Sequence, residues 1–488
     1  MKLNYIDFLV IGVFFISMVI IGAYAYFKNK SSEDFFVAGG HLPWWLSGIS
    51  HHVSGYSGAV FVAYAALAYT HGFSLYVWWA FTIGIAIIAA AKIFPVHWVR
   101  LRKKFMIQSP LEYLAIRYNV LTQQIIAWVG VTLKLFDVGA KWAAIAILLN
   151  VTTGIPFTYG ILISGGISLI YITVGGLWAV ILTDFAQFLV QLVGGVIMFV
   201  MVLNRFDGWD SIFGIWEELP AENSQLFNDP YSVGFAMVFL FINFLSYNGG
   251  SWSLATRYIS SNTEKEASKA AYLSGVLYLI WPLILFFPMW AAPLILPGIE
   301  DPSESYGLLI QQLLPNGLIG LVIASLFANT MSMTSSDVNT ISAVITRDIL
   351  PVMSDTLRSK RNSLFTARIT TFIFTFLTIV VAFQYEYFGG VLGLIVTWFG
   401  ALLGPIAVPL LFGLVPIFRS CGPVAAISSI LAGLITFSIT KIIPMESMAL
   451  EVGLPVIVSM LVFSLLGWIS KKPVSKEVRE LEAAIADL

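Results

Sequence analysis

The chain has 488 residues, of which 58% are hydrophobic and only 11% charged, with a mean hydropathy of +0.86; this excludes an ordinary soluble domain and reads as an all-α polytopic membrane protein. A formal net charge of −1, with no basic cluster interleaved with aromatic residues, excludes nucleic acid as a partner. The single cysteine, Cys421, excludes an internal disulfide and any cysteine-based metal centre.

At about 20 residues per crossing, the apolar segments predict about thirteen transmembrane helices. In chain order they cover 5–26, 44–70, 73–98, 122–149, 156–175, 179–203, 232–256, 271–297, 316–345, 365–384, 388–416, 422–440 and 449–469. The first segment has neither a strongly charged leader nor an A-x-A cleavage site, so it is read as a retained helix. Lys and Arg set the orientation. With the N-terminus outside and the C-terminus cytoplasmic, roughly twenty basic residues fall on inner loops, Arg257 and Arg347 among them, and about three outside. The expected setting is a multi-pass protein of a bacterial inner membrane. The tail 471–488 carries Val478, Leu481, Ile485 and Leu488 at helical spacing and is read as a surface helix.

Two of these segments contain the wrong residues for a continuous membrane helix. GISHHVSGYSG (48–58) and SYNGGSW (246–252) bring glycine, serine, histidine and asparagine into otherwise apolar runs. An unpaired backbone group in hydrocarbon costs several kcal/mol, so unwound backbone survives only in a protein interior or beside a polar cavity. Paired broken spans point to a transporter's binding site. The domain reading follows: an additional helix and loop in 1–43, five helices in 44–230, five more in 231–420 and two additional helices with a tail in 421–488. Because five is odd, the second set runs through the membrane inverted relative to the first.

Ionisable residues within spans are functional candidates. Asp184 lies in GGLWAVILTDFAQ. Asp137 and Lys141, with Lys134 a turn earlier, share a helix face and read either as a mutually satisfied pair or as a binding pair. In the segment 316–345, Ser332, Ser335, Ser336 and Asn339 recur at three- and four-residue spacing and form one stripe. Such hydroxyls, a carboxylate and the carbonyls of an unwound helix are the oxygen ligands a hard monovalent cation needs; hydroxyls that only bond back to the preceding turn are the alternative. His51 and His52 could relay protons or line a pocket wall. Trp78, Trp79, Trp142, Tyr56 and Tyr247 are aromatic residues near the proposed site. The sequence contains no P-loop, metal-binding His/Cys spacing or G-x-S-x-G elbow, so the chain is read as no enzyme, and an ion gradient must supply the energy.

Several stretches taken in order resemble the sodium:solute symporter family, which includes sodium/glucose, sodium/proline and bacterial sodium/sialic-acid transporters. They are DFFVAGGHLPWWLSGIS (34–50), PLEYLAIRYN (110–119), GGLWAVILTDFAQ (175–187), ATRYIS (255–260), TSSDVNTISAVITRD (334–348) and LLGPIAVPLLFGL (402–414). The resemblance implies a LeuT-like 5+5 inverted repeat with two broken helices, alternating access, and uptake driven by sodium, with no other metal and no cofactor. It places one sodium site at the carbonyls of Val53, Tyr56 and Asn329 with Ser332. The fifth ligand, a Ser or Thr in the family, falls on Met333, a poor ligand for a hard cation. Either the register slips, or the site is weak, or the ion is held elsewhere. A second site matches as Asp184, Ser335 and Ser336.

The substrate pattern is mixed. Lys141 and Tyr247 fall where sugar transporters keep a lysine and an aromatic gate. Trp79 lies near an absent acidic position, Val396 replaces a glutamine, and the arginine of sialic-acid members falls on Ala140. The substrate-binding candidates are His52, Ser54, Gly55, Ser57, Trp79, Asp137, Lys141, Tyr247 and Asn248. The leading reading is a monomeric sodium-coupled symporter importing a small organic solute, a sugar or sugar-derived acid. A proton-coupled or weakly coupled carrier and a non-transporting solute sensor are the alternatives.

Overall fold

A computed structural model describes residues 3–58, 60–206, 208–359, 363–384, 403–470 and 474–486. Every described element is helical apart from two isolated bridges, Leu42 with Ser261 and Asn228 with Tyr231. Helix α1 (Tyr5–Tyr26) covers the predicted first span. The first broken span is α2 (Trp44–Val53) followed by α3 (Val60–His71), and the next is α4 (Tyr76–Ala90) bent by 53° into α5 (Phe94–Phe105). Then come α6 (Val120–Thr153) and α7 (Phe157–Arg205). The second broken span is α8 (Val233–Gly250) with α9 (Trp252–Ile259), followed by α10 (Glu264–Ile295), α11 (Leu318–Met353) and α12 (Leu364–Ala382). Helices α13 (Gly404–Phe412), α14 (Pro423–Ile442), α15 (Met448–Ser470) and α16 (Lys476–Ala486) complete the order.

By length and apolarity nine described helices can cross a membrane, or ten with the bent pair counted as one span. The expected thirteen is not reached by this measure, for three physical reasons. The pieces of the first broken span are individually too short. The 49-residue α7 joins two predicted spans at Gly176. Most of the predicted 388–416 helix, with Val396, lies outside the described residues.

Both breaks exist, but each is narrower than its polar stretch. Gly48 to Val53 is wound as helix, and the chain opens only at Ser54. Gly48 serves packing: a Cβ there would stand 2.8 Å from the Ala270 carbonyl. In the second break Gly249 has φ 132°, a conformation that L side chains rarely adopt, and a Cβ would meet the Trp98 ring nitrogen at 2.6 Å. Gly176 (φ 53°, ψ −154°) turns the chain within α7 against the Phe35 carbonyl.

The long polar helix α11 packs along α7 and α6, and α12 lies on α6. The broken α2 packs on α10, and α14 and α15 form a hairpin of their own. Helix α1 crosses α7 and α11, where buried Asp7 accepts the amides of Gly317 and Gly320 at 2.7 and 2.8 Å and so caps the start of α11. The tail helix α16 buries Val478, Leu481 and Ile485 and packs against α5, as its spacing predicted.

Candidate functional site

The two breaks approach each other through His51. Its Nε2 lies 3.1 Å from the Tyr247 carbonyl, which can only accept, so Nε2 carries the proton. Its Nδ1 lies 2.8 Å from the Ser274 hydroxyl. With both ring nitrogens engaged, His51 pins α2 to the second break. His52 points elsewhere, among the rings of Tyr56, Phe188 and Tyr278, and neither of its ring nitrogens has a hydrogen-bond partner among the described residues.

An aromatic wall closes one side of the first break. Tyr56 stacks on Tyr278 at 5.5 Å and meets Trp79 edge-on at 5.4 Å, while Tyr247 meets Tyr278 edge-on at 5.3 Å. The Tyr278 hydroxyl donates to the His52 carbonyl. Gly55 passes so close to it that a Cβ would stand 1.7 Å from the Tyr278 oxygen. Ser57 is buried beside the break. Asn248 is spent on structure: its amide donates to the carbonyls of Ala86 and Phe244, and its own carbonyl accepts from Trp98.

The cation candidates converge only in part. Asp184 is fully buried and accepts from Ser332 at 2.6 Å and from Ser50 at 2.5 Å. Ser336 bonds to Ser54 at 2.9 Å, joining α11 to the first break. Ser335 and Ser336 both donate to the Ser332 carbonyl, the local back-bond, but only Ser336 also reaches the first break, and Asn339 reaches the Phe36 carbonyl at 3.4 Å, so the stripe divides between two tasks. The Val53 carbonyl already accepts the Tyr56 amide at 3.1 Å. The Asn329 side chain is held by Gln191 and by the Ser325 carbonyl. Met333 alone between Met331 and Ser342 is not fully buried.

Arg257, counted in the sequence among the inner loop charges, stands in the middle of this group. It donates to Asp184 at 3.2 Å, to Ser50 at 3.0 Å, to Ser54 at 3.2 Å, to the Ser253 carbonyl at 3.2 Å and to Ser336. A guanidinium therefore occupies two of the oxygens that the sequence offers to sodium, those of Asp184 and Ser336.

Asp137 and Lys141 do pair, but within a ring of four. Lys134 and Lys141 each bridge Asp137 and Asp337, at 2.6 and 3.0 Å and at 2.7 and 2.7 Å. All four side chains are at most 4% exposed. Asp337, within the 334–348 run, lies off the serine stripe, so the spacing of the hydroxyls does not point to it.

Toward the side rich in Lys and Arg, Arg347 grips Glu112 with two bonds of 2.9 and 3.0 Å, and Asp348 receives Ser109 at 2.5 Å and Gln123 at 2.8 Å. These contacts clamp the segment after α5 to the end of α11.

Two helices broken at facing positions, a buried carboxylate and hydroxyls between them, and a closed charge-paired floor define a secondary transporter. Residues 35–433 match the Sodium:solute symporter family, and the chain belongs to it. The chain is 28% identical to the "Sodium/sialic acid symporter SiaT" of Proteus mirabilis (strain HI4320), over 76% of each protein. It is also 28% identical to the "Sodium/glucose cotransporter" of Vibrio parahaemolyticus, over 71% of this chain and 69% of that one. The solved substrate-bound outward-open state of a Na+-coupled sialic acid symporter superposes with a TM-score of 0.84 at 21% identity, covering 97% of this chain and 99% of that one, and carries the LeuT-like inverted-repeat fold. As a family member the protein is a sodium-coupled solute symporter spanning the membrane several times, with sodium as coupling ion, and is no enzyme.

Proposed function

We propose that the protein imports a small organic solute, a sugar or sugar-derived acid, down the sodium gradient by alternating access. Its N-terminus lies outside and its C-terminus in the cytoplasm, and residues 44–230 and 231–420 are the two repeats. The observation that carries the reading is the Asp184–Ser332 contact at 2.6 Å, where a carboxylate of one repeat meets the polar helix of the other beside the first break. Sodium would take Asp184 with Ser332 and Ser336; the carbonyls of Val53, Tyr56 and Asn329 are the other candidate ligands, and Ser335 contributes least. Solute would lie between the breaks, against His52, Ser54, Gly55, Ser57, Trp79 and Tyr247, with Asp137 and Lys141 beneath it and Asn248 supporting the second break.

Binding energy moves such a machine only where it differs between its states. The bonds from Arg257, Ser50 and Ser54 to Asp184 and Ser336 join the broken helices to α7 and α11, so an ion bound there acts on the contact that must open and close. The proton-coupled alternative has less support, because both His51 nitrogens are committed and the family is one of sodium-coupled carriers. Proteoliposome counterflow tests the reading: radiolabelled N-acetylneuraminate or glucose should exchange in sodium and not in choline, and uptake undiminished in sodium-free buffer overturns it.

A further inference from the structure

The buried pair Asp184–Arg257 and the ring of Lys134, Asp137, Lys141 and Asp337 are adjacent parts of one assembly. Ser253, just inside α9, joins them: its carbonyl accepts from Arg257 at 3.2 Å and its hydroxyl acts on Asp337. Arg257 also bonds Ser336, the residue next to Asp337, and lies within electrostatic reach of the Asp337 carboxylate. Across the assembly three carboxylates face three cations, all of them at most 4% exposed. It carries no net charge.

Sodium alone would leave this assembly with one uncompensated positive charge, which is expensive deep in a membrane protein. A monoanion arriving with the ion removes that excess, and a neutral solute does not. The geometry also says where the charge goes. An ion on Asp184 deprives Arg257 of its carboxylate, and the next one, across Ser253, is Asp337. Asp337 already balances two lysines, so a third cation there leaves a lysine in excess. Of the two, Lys141 is nearer the first break: Gly58 packs against Ala144 and Ile145, one turn further along α6, whereas Lys134 lies two turns back.

We propose that sodium at Asp184 hands Arg257 to Asp337 and thereby frees the Lys141 ammonium to receive a carboxylate, so that the transported solute is a monoanion. This rests on the sodium-coupled reading above. The coupling is then reciprocal, each ligand raising the affinity for the other.

The test is 22Na+ binding to the purified full-length protein in detergent, titrated alone and with saturating N-acetylneuraminate, pyruvate or lactate as carboxylates, or glucose or proline as solutes without net charge. A carboxylate should raise sodium affinity tenfold or more, and the uncharged solutes should leave it unchanged. Two double variants keep the assembly neutral and so avoid stranding a buried charge. Asp137→Asn with Lys141→Gln should bind sodium through the intact Asp184 yet lose the response to carboxylate. Lys134→Gln with Asp337→Asn should weaken sodium binding itself about tenfold, because Arg257 has no second acceptor. Sodium binding that no carboxylate strengthens, or that glucose or proline strengthens instead, overturns the inference and leaves sodium coupling standing. So does a carboxylate response that survives loss of Lys141. Absence of sodium binding in the wild type overturns both.

Discussion

Arg257 and Asp184 meet at 3.2 Å with both side chains wholly buried. The pair joins α9, the second piece of the second broken helix, to α7 and shares Ser50 with the first. Breaking a buried pair from one side is costly, commonly about 3–5 kcal/mol, because the remaining charge is stranded.

Asp184→Asn should therefore act twice, abolishing saturable sodium binding and lowering the unfolding temperature in detergent. Asp184→Asn with Arg257→Gln removes both charges and should recover most of the thermal stability without recovering sodium binding. Calorimetry beside 22Na+ titration separates the two effects. A double variant as unstable as the single one would show that the pair is not the source of the loss.

The divided serine stripe makes a finer distinction. Ser336→Ala removes a hydrogen bond to a charged group, worth about 1.5–3 kcal/mol, and should shift half-saturation for sodium tenfold or more. Ser335→Ala removes a back-bond to its own helix and should change it less than about twofold, since such back-bonds stabilise a helix little or not at all. Equal shifts in the two variants would contradict this division.

How far the sequence disclosed this arrangement depends on the kind of contact. Glycines and hydroxyls in an apolar run announce a break by themselves, because unsatisfied backbone is so costly there. The limits of a break are less legible: Gly48 looks like part of the interruption but accommodates the Ala270 carbonyl across a helix contact. Arg257 reads as a loop charge in the sequence because α9 is only eight residues long, so a linear count cannot separate its interior from its flank. Asp337 has two lysine partners on another helix, and periodicity within one helix says nothing of those.

Gly55 tests the closeness of the aromatic wall. A methyl group there would collide with the Tyr278 hydroxyl, so Gly55→Ala should destabilise the protein and impair uptake. Adding Tyr278→Phe removes the colliding oxygen and should restore part of both, with a coupling of about 0.5–3 kcal/mol expected for residues in contact. Effects that simply add would mean that the two positions do not touch.

The Arg347–Glu112 clamp predicts a shift in accessibility. In a Cys421→Ser background carrying Thr256→Cys, Arg347→Gln should raise the rate of alkylation by a membrane-impermeant maleimide applied from the cytoplasmic side. Thr256 is buried against Thr340 while α9 and α11 stay together, and it becomes reachable only as they part. An unchanged rate would remove the clamp from the gate.

In the proposed division helix α1 stands outside the two repeats, yet its Asp7 holds the first amides of α11, the helix that carries the hydroxyls of the proposed cation site. What internal symmetry leaves over is thus no ornament in this chain. On that division the polar helix α11 takes its footing from a segment belonging to neither half, so ten helices excised by symmetry alone would lack one of their foundations.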